Sequence, residues 1–368
     1  MYLDNAATTP LKQEVKDYII SILDDYGNPS SHYSLGDTAR KIINQSRENV
    51  AKFINAKSGD NIIFTSSGSA SNTLAIKGLE KQKYLFYYSP IAHKSMIKTC
   101  ESTPYHRYLK VNQYGELDLN NLIKELERSK DFSTALCIDM ANSEIGIIQD
   151  IEEIIKTVHK YNGIVICDAT GYIPSFKIDV QKLNIDILTF SAHKLGALKG
   201  TGVLYKRNGI KLDPLIYGSQ EQGLFAGTEN VIGIAALGKA IENYDYSSVT
   251  SIDRDYVYNY LINNIPDSYL IGKIEDRLPH NLYMCFKGVE GESLMLLLDL
   301  CNIQVSTGSA CNSGNPNPSA TLVAIDIPDE DIHSCIRITL SGNETKQDLD
   351  YVCNKIRLCV EQLRNFNR

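Results

Sequence analysis

The sequence predicts an α/β fold: a large domain on a mostly parallel sheet covered by helices, followed by a small α+β domain. Three observations carry this expectation. Between about residues 61 and 206, short apolar runs alternate with amphipathic stretches, the pattern of a sheet buried on both faces under crossover helices. After about residue 250 helical segments dominate and strands become fewer. A length of 368 residues suits one large and one smaller domain. The expected division is an N-terminal segment over 1–15 packing with the small domain, a large domain over 16–249 and a small domain over 250–368.

In chain order, the predicted strands of the large domain are "NIIFTS", "YLFYYS", "STALCIDM", "GIVICDA", "DILTFSA" and "GVLYK". Between them "IEEIIKTVHK" sets Ile151, Ile154, Ile155 and Val158 on one helical face. Glu152 and Lys156 form a charge pair one turn apart on the other face. In the small domain the spacing predicts helices over 251–264, 291–301 and 345–364, and strands at "NLYMCF", "IQVS" and "IRITL".

Composition narrows the function classes. The formal net charge is −7, which offers no basic footprint for nucleic acid. No apolar run is long enough to span a bilayer and no signal-peptide core follows Met1, so a cytoplasmic location is expected. The nine cysteines lack metal-type spacing. Most, such as Cys137 and Cys167, lie in apolar runs and read as core thiols. Cys311 differs: it stands in "VSTGSACNSGNPNPS", among Gly, Ser, Asn and Pro.

In open α/β sheets ligands gather at the carboxyl ends of strands, and four chemically suggestive stretches fall there. Lys194 ends a buried strand in "FSAHKLGALKG". An unpaired ammonium is costly to bury, so Lys194 either turns to solvent or is bonded to an aldehyde cofactor. Asp168 ends "VICDA", where an acid can cap the next helix or pair with a pyridinium nitrogen. In "IFTSSGSASNTLAIKG" a strand runs through a Gly/Ser turn into a helix. Gly68, Ser69 and Ala70 could cradle a phosphate there, with Ser191 and His193 as side-chain donors. His93 in "SPIAHKSM" is either a turn residue or a group that lies on a cofactor ring and passes protons.

Together these stretches resemble the fold-type I pyridoxal-phosphate enzymes of aminotransferase class V, and within them the cysteine desulfurases of the NifS/IscS type. The resemblance runs nearly end to end: "MYLDNAATTPL", "YGNPSSHYSLGDTAR", "AHKSM", "NSEIGIIQDI", "SAHK", "AGTENV" and "STGSAC" fall in the family's order. It implies conversion of L-cysteine to L-alanine, with the sulfur left as a persulfide on the enzyme. Pyridoxal 5′-phosphate would be carried by Lys194, which also shuttles protons. Asp168 would hold the ring nitrogen protonated and His93 would stack on the ring and assist proton transfer. Gly68, Ser69, Ser191 and His193 would bind the phosphate, with Thr228 supplied by the other subunit of a homodimer. Arg337 would hold the substrate carboxylate, with Asn142 beside it, and Cys311 would be the nucleophile that takes the sulfur. No metal is implied. The acceptor would be a protein, an iron–sulfur scaffold or a tRNA-thiolation enzyme.

The chain departs from the family pattern at four positions. Gly171 stands where a Gln bonds the cofactor's ring hydroxyl, and Ser143 where an Asn contacts the same group. Asn142 or Thr170 are candidates to substitute for these contacts. Phe225 replaces an Arg, which would remove a charge from the active-site mouth, and Gly342 replaces a second Arg. These departures keep open another class V enzyme (a selenocysteine lyase, a C–S lyase or an aminotransferase) or a non-catalytic member that binds a partner.

Overall fold

The computed structural model describes residues 1–247, 250–307 and 318–366; Cys311 lies outside the described residues. The large sheet has seven strands: β1 (Ile62–Thr65), β2 (Leu85–Tyr88), β3 (His106–Tyr108), β4 (Thr134–Asp139), β5 (Ile164–Asp168), β6 (Ile187–Ser191) and β7 (Gly202–Lys206). Their order across the sheet is β1-β7-β6-β5-β4-β2-β3. The central pairs are parallel, and β7 runs antiparallel to both β6 and β1. The six predicted strands appear within a residue or two of their expected ends. The seventh, β3, is a three-residue edge strand with every side chain exposed, so it carries no apolar run to betray it.

Alternate residues of the six buried strands feed two cores. On β5, Val165 and Cys167 join one cluster with the helices Ser34–Phe53, Ile151–Lys160 and Val231–Ile241. Ile164 and Ile166 join the other with the helices Gly68–Glu80 and Lys94–Glu101. This two-sided burial is why the strands read as unbroken apolar runs.

The smaller sheet is antiparallel, ordered β10-β9-β8, from β8 (Ser268–Leu270), β9 (Asn281–Phe286) and β10 (Cys335–Thr339). Its core is sealed by the helices Ile252–Asn264, Gly291–Leu300 and Lys346–Phe366. The expected strand "IQVS" forms only isolated bridges, Gln304 to Tyr2 and Ser306 to Arg337. Those positions serve instead to dock the N-terminal segment, whose backbone holds Leu3 between Gln304 and Thr339 at 2.8 and 2.7 Å. Leu3 itself is fully buried in the small core. A separate apolar cluster joins the two bodies, with Ile91, Ile145 and Ile147 of the large one against Tyr283, Cys285 and Cys335 of the small one.

Candidate active site

A cavity of about 1250 Å³ opens where the carboxyl ends of β4, β5 and β6 face the small body. Lys194, Asp168, His93, Ser191, Gly68 and Arg337 all line it, so chain segments up to 269 residues apart converge there; all but Arg337 stand at or just after the end of a strand of the large sheet.

Lys194 closes the turn Ala192–Lys194 that follows β6. Its ammonium donates to the carbonyl of Ala6 and, at 2.6 Å, to that of Ala7. The same turn is gripped by the N-terminal segment: the Thr9 hydroxyl donates to the His193 carbonyl at 2.8 Å and accepts the Gly196 N–H at 3.0 Å. Residues 1–5 thus pack on the small body, while residues 6–12 lie along the lysine turn. His193 has its Nδ1 3.0 Å from the Thr8 hydroxyl. Burial, and then the charges of Lys194 and Lys199, press its pKa down to about 4, so the ring is neutral near pH 7.

Asp168 sits on the neighbouring strand, almost fully buried. Each carboxylate oxygen accepts one hydrogen bond: Oδ1 from the Thr170 N–H at 2.8 Å, Oδ2 from the Asn72 amide at 2.7 Å. Asn72, wholly buried on the helix Gly68–Glu80, is itself fixed. Its carbonyl accepts from the Thr189 hydroxyl at 2.5 Å and its amide also reaches the Ser95 hydroxyl at 3.0 Å. Ser95 in turn holds His93, its backbone N–H donating to Nδ1 at 3.2 Å and its hydroxyl lying 2.7 Å from the same atom. With Nδ1 accepting, the ring proton of neutral His93 belongs on Nε2. One buried amide thus ties the acid to the histidine, a link that no local spacing in the sequence announces.

The turn between β1 and the helix Gly68–Glu80 is the phosphate candidate. Ser67 caps the helix by accepting the Ala70 N–H, and Gly68 donates to the Ser191 hydroxyl at 3.1 Å. A Cβ on Gly68 would meet that hydroxyl at 2.3 Å, and one on Gly202 of β7 would meet the Ser67 carbonyl oxygen at 2.2 Å, so the backbone at Gly202 approaches the turn at a distance that only glycine allows. Ser69 lines the cavity beside it. Thr228 is exposed and is not among the lining residues of its own chain's cavity.

Arg337, on β10, is buried with 5% of its surface accessible. It donates to the Asp4 carboxylate at 2.7 Å and the Ser143 carbonyl at 3.1 Å, while its Nε is enclosed with no hydrogen-bond partner. A buried unmatched guanidinium N–H is costly, and a guanidinium on a cavity wall is a donor suited to a carboxylate. Asn142 lines the cavity, but its carboxamide is already engaged. It accepts from Glu144 N and Ile145 N at 2.9 and 2.8 Å and donates to the Ile91 carbonyl at 2.7 Å. Its local role is to shape the turn.

The departures also find their places. A Cβ on Gly171 would lie 2.9 Å from the Ala141 carbonyl oxygen and 3.6 Å from the Ser143 Cβ, so two of them are spatial neighbours. Gly342 lines the far side of the cavity with φ +81°, a conformation that disfavours side chains. Phe225, expected at the mouth, is absent from the lining and packs against the core of the large body. Asp139, at the carboxyl end of β4, lines the cavity and was not singled out from the sequence. All eight cysteines among the described residues are free thiols, seven of them buried, and none lines the cavity.

These residues fit pyridoxal phosphate: a lysine and a buried acid at adjacent strand ends, and a helix head where the Gly68 N–H and the Ser191 hydroxyl lie side by side on the cavity wall. A model of the family described as Aminotransferase class-V matches residues 1–352. The chain is 40% identical to the cysteine desulfurase IscS of Dictyoglomus turgidum, over 100% of this chain and 96% of that protein. It is 39% identical to the cysteine desulfurase IscS of Methanosarcina thermophila, over 100% and 93%. The solved NifS-like protein from Rickettsia africae superposes with a TM-score of 0.89 at 29% identity, covering 98% of this chain and 99% of that one. The fold is accordingly fold-type I, as expected. Among the described residues no helix is long and apolar enough to cross a membrane.

Proposed function

Because the chain belongs to the class-V aminotransferase family, we propose that it is a pyridoxal-phosphate-dependent cysteine desulfurase that converts L-cysteine to L-alanine and retains the sulfur as a persulfide on Cys311. The observation that carries this reading is the convergence of Lys194, Asp168 and Arg337 on one cavity. Lys194 would hold the cofactor, and Gly68, Ser69, Ser191 and neutral His193 would surround its phosphate. When bound, the cofactor supplies an electron sink at the substrate's α-carbon.

The protein's own groups do the rest. Arg337, which lines the cavity, would bind the substrate carboxylate. Asp168, fixed by Asn72 and Thr170, places a negative charge on its side of the cavity. Lys194 and His93 are the groups placed to move protons. The Cys311 thiolate attacks the substrate sulfur, the carbon–sulfur bond breaks, and a proton replaces sulfur on carbon. A thiolate near cationic groups is the competent nucleophile. That no described cysteine lines the cavity supports Cys311 in this role. Thr228, exposed and outside its own cavity, suits a contact to the partner's phosphate in a homodimer. A sulfur-acceptor protein, an iron–sulfur scaffold or a tRNA-thiolation enzyme, would take the persulfide in a reducing cytoplasm.

The test is incubation with L-cysteine and a reductant, measuring alanine and sulfide together. Equal yields are expected from the native protein, and neither product from Cys311→Ala with the cofactor still bound. Neither product from the cofactor-loaded native protein would overturn the assignment.

A further inference from the structure

The cavity holds a second acid. Asp139 ends β4 and Asp168 ends β5, and the two are directly opposed in the parallel register of these strands. Both line the cavity. Side chains at paired positions share one face of a sheet, so the two carboxyl groups lie side by side, where two negative charges repel and cannot both be held cheaply.

Their surroundings differ. Asp168 receives a separate donor on each oxygen, from Thr170 and Asn72. Among the described residues Asp139 receives only the His93 backbone N–H, shared between its oxygens at 3.2 and 3.0 Å. Lining the same cavity are Asp168 on β5, His93 and Lys94 at the head of the helix Lys94–Glu101, and, among others, Lys194, Glu144 and Arg337. Lys194 is engaged on the Ala6 and Ala7 carbonyls and Arg337 on Asp4 and Ser143. No ion pair to Asp139 is formed among the described residues. Burial first, and then the charge of Asp168, push its pKa well above the ordinary carboxyl value.

We propose that Asp139 and Asp168 form a divided pair, in which Asp168 carries the charge and Asp139 carries a proton while it positions the backbone of His93. Environments that drive two neighbouring acids apart are how a site acquires one base and one acid. The pair gives the cavity a single negative charge at the ends of β4 and β5, and a carboxyl O–H donor that the sequence does not advertise.

Two measurements on the holoenzyme test this. Infrared difference spectroscopy of native protein minus Asp139→Asn at pH 7 is expected to show the carbonyl stretch of a protonated carboxyl; its absence would overturn the proposal. Thermal melting supplies the second. A carboxyl whose pKa is raised by folding costs stability as pH climbs above its unfolded value near 3.9, and asparagine escapes that cost. Asp139→Asn is expected to melt with the native protein at pH 4 and above it at pH 7, the gap widening with pH. A gap that is absent or reversed would overturn the proposal. Should Asp139→Asn fail to fold, Asp168→Asn serves: removing the neighbouring charge is expected to move loss of the infrared band to lower pH, and an unmoved midpoint counts against the pair. These readouts concern ionisation alone. A protein that shows the band yet makes no alanine would keep the pair and lose the desulfurase reading.

Discussion

The guanidinium of Arg337 lies 2.7 Å from the carboxylate of Asp4, a residue 333 positions earlier in the chain. Their side chains are 6% and 17% exposed, so the pair is largely withdrawn from water. Hydrogen bonds to charged groups are worth about 1.5–3 kcal/mol. Asp4→Asn is expected to lower unfolding stability by about that amount in urea titrations. Arg337→Lys, which removes the planar fork, is expected to cut kcat/KM for L-cysteine at least ~10-fold, equivalent to about 1.4 kcal/mol, with the visible spectrum of the bound cofactor unchanged.

Restoring a side chain at Gly171 should harm the protein rather than complete its site. The added Cβ would stand 2.9 Å from the Ala141 carbonyl oxygen, a backbone atom that cannot swing aside. Overpacking of this kind costs roughly 1–3 kcal/mol, and Gly171→Gln is expected to lower the melting point accordingly. Ser143→Asn, at a half-buried position, is expected to melt close to the native protein.

A buried ion pair far from the chemistry should matter for stability alone. Arg47 grips Glu221 through two hydrogen bonds of 2.9 and 2.6 Å, and Glu221 also accepts the Phe64 N–H of β1 at 2.7 Å. Glu221 has φ +48° and the following Gln222 φ +60°, so the pair holds a strained turn against the sheet. Breaking a buried pair by removing one partner costs about 3–5 kcal/mol. Glu221→Ala is expected to approach that loss in chemical denaturation, while Glu221→Gln, retaining an acceptor, loses less.

Acid should destabilise the protein through two histidines. His280 is driven down to about 4 by burial and then by the charge of Arg254; His193 reaches about 4 for the reasons given above. Both folded values lie below the ordinary value near 6.5. As pH falls from about 6.5 towards 4, the unfolded chain therefore binds protons that the folded chain refuses. Stability is full above that window and declines through it. His280→Gln, which can keep a hydrogen bond to Ser175 in place of the 3.0 Å contact, is expected to flatten this acid limb when unfolding free energy is followed from pH 7 to pH 4.

Much of this architecture was legible in the sequence because parallel strands buried on both faces leave long apolar marks, and because Lys194 and Asp168 stand at strand ends, where polar residues are conspicuous. What escaped did so for physical reasons. β3 has no buried side chain to leave a pattern. Asn72 and Asp139 act through partners 96 and 29 positions away, and no local spacing reports such contacts. Asn142 lines the cavity while its carboxamide also braces its own turn, and Phe225 packs on the core of the large body; neither set of partners can be read from local spacing. Burial and hydrogen-bond saturation decide such cases, and both are properties of the folded chain.

The N-terminal segment sets a leash. Asn5 is fastened to Thr339 of the small body by its amide at 2.9 Å, and Thr9 to His193 beside the lysine by its backbone at 3.2 Å. Only four residue steps separate those anchors, and an extended chain advances at most about 3.6 Å per step. While both fastenings hold, the small body can draw back from the lysine turn by no more than about 14 Å between them. Any wider excursion must first unpick Asn5 or Thr9. The reach of the whole molecule's opening is thereby written into a stretch of five residues.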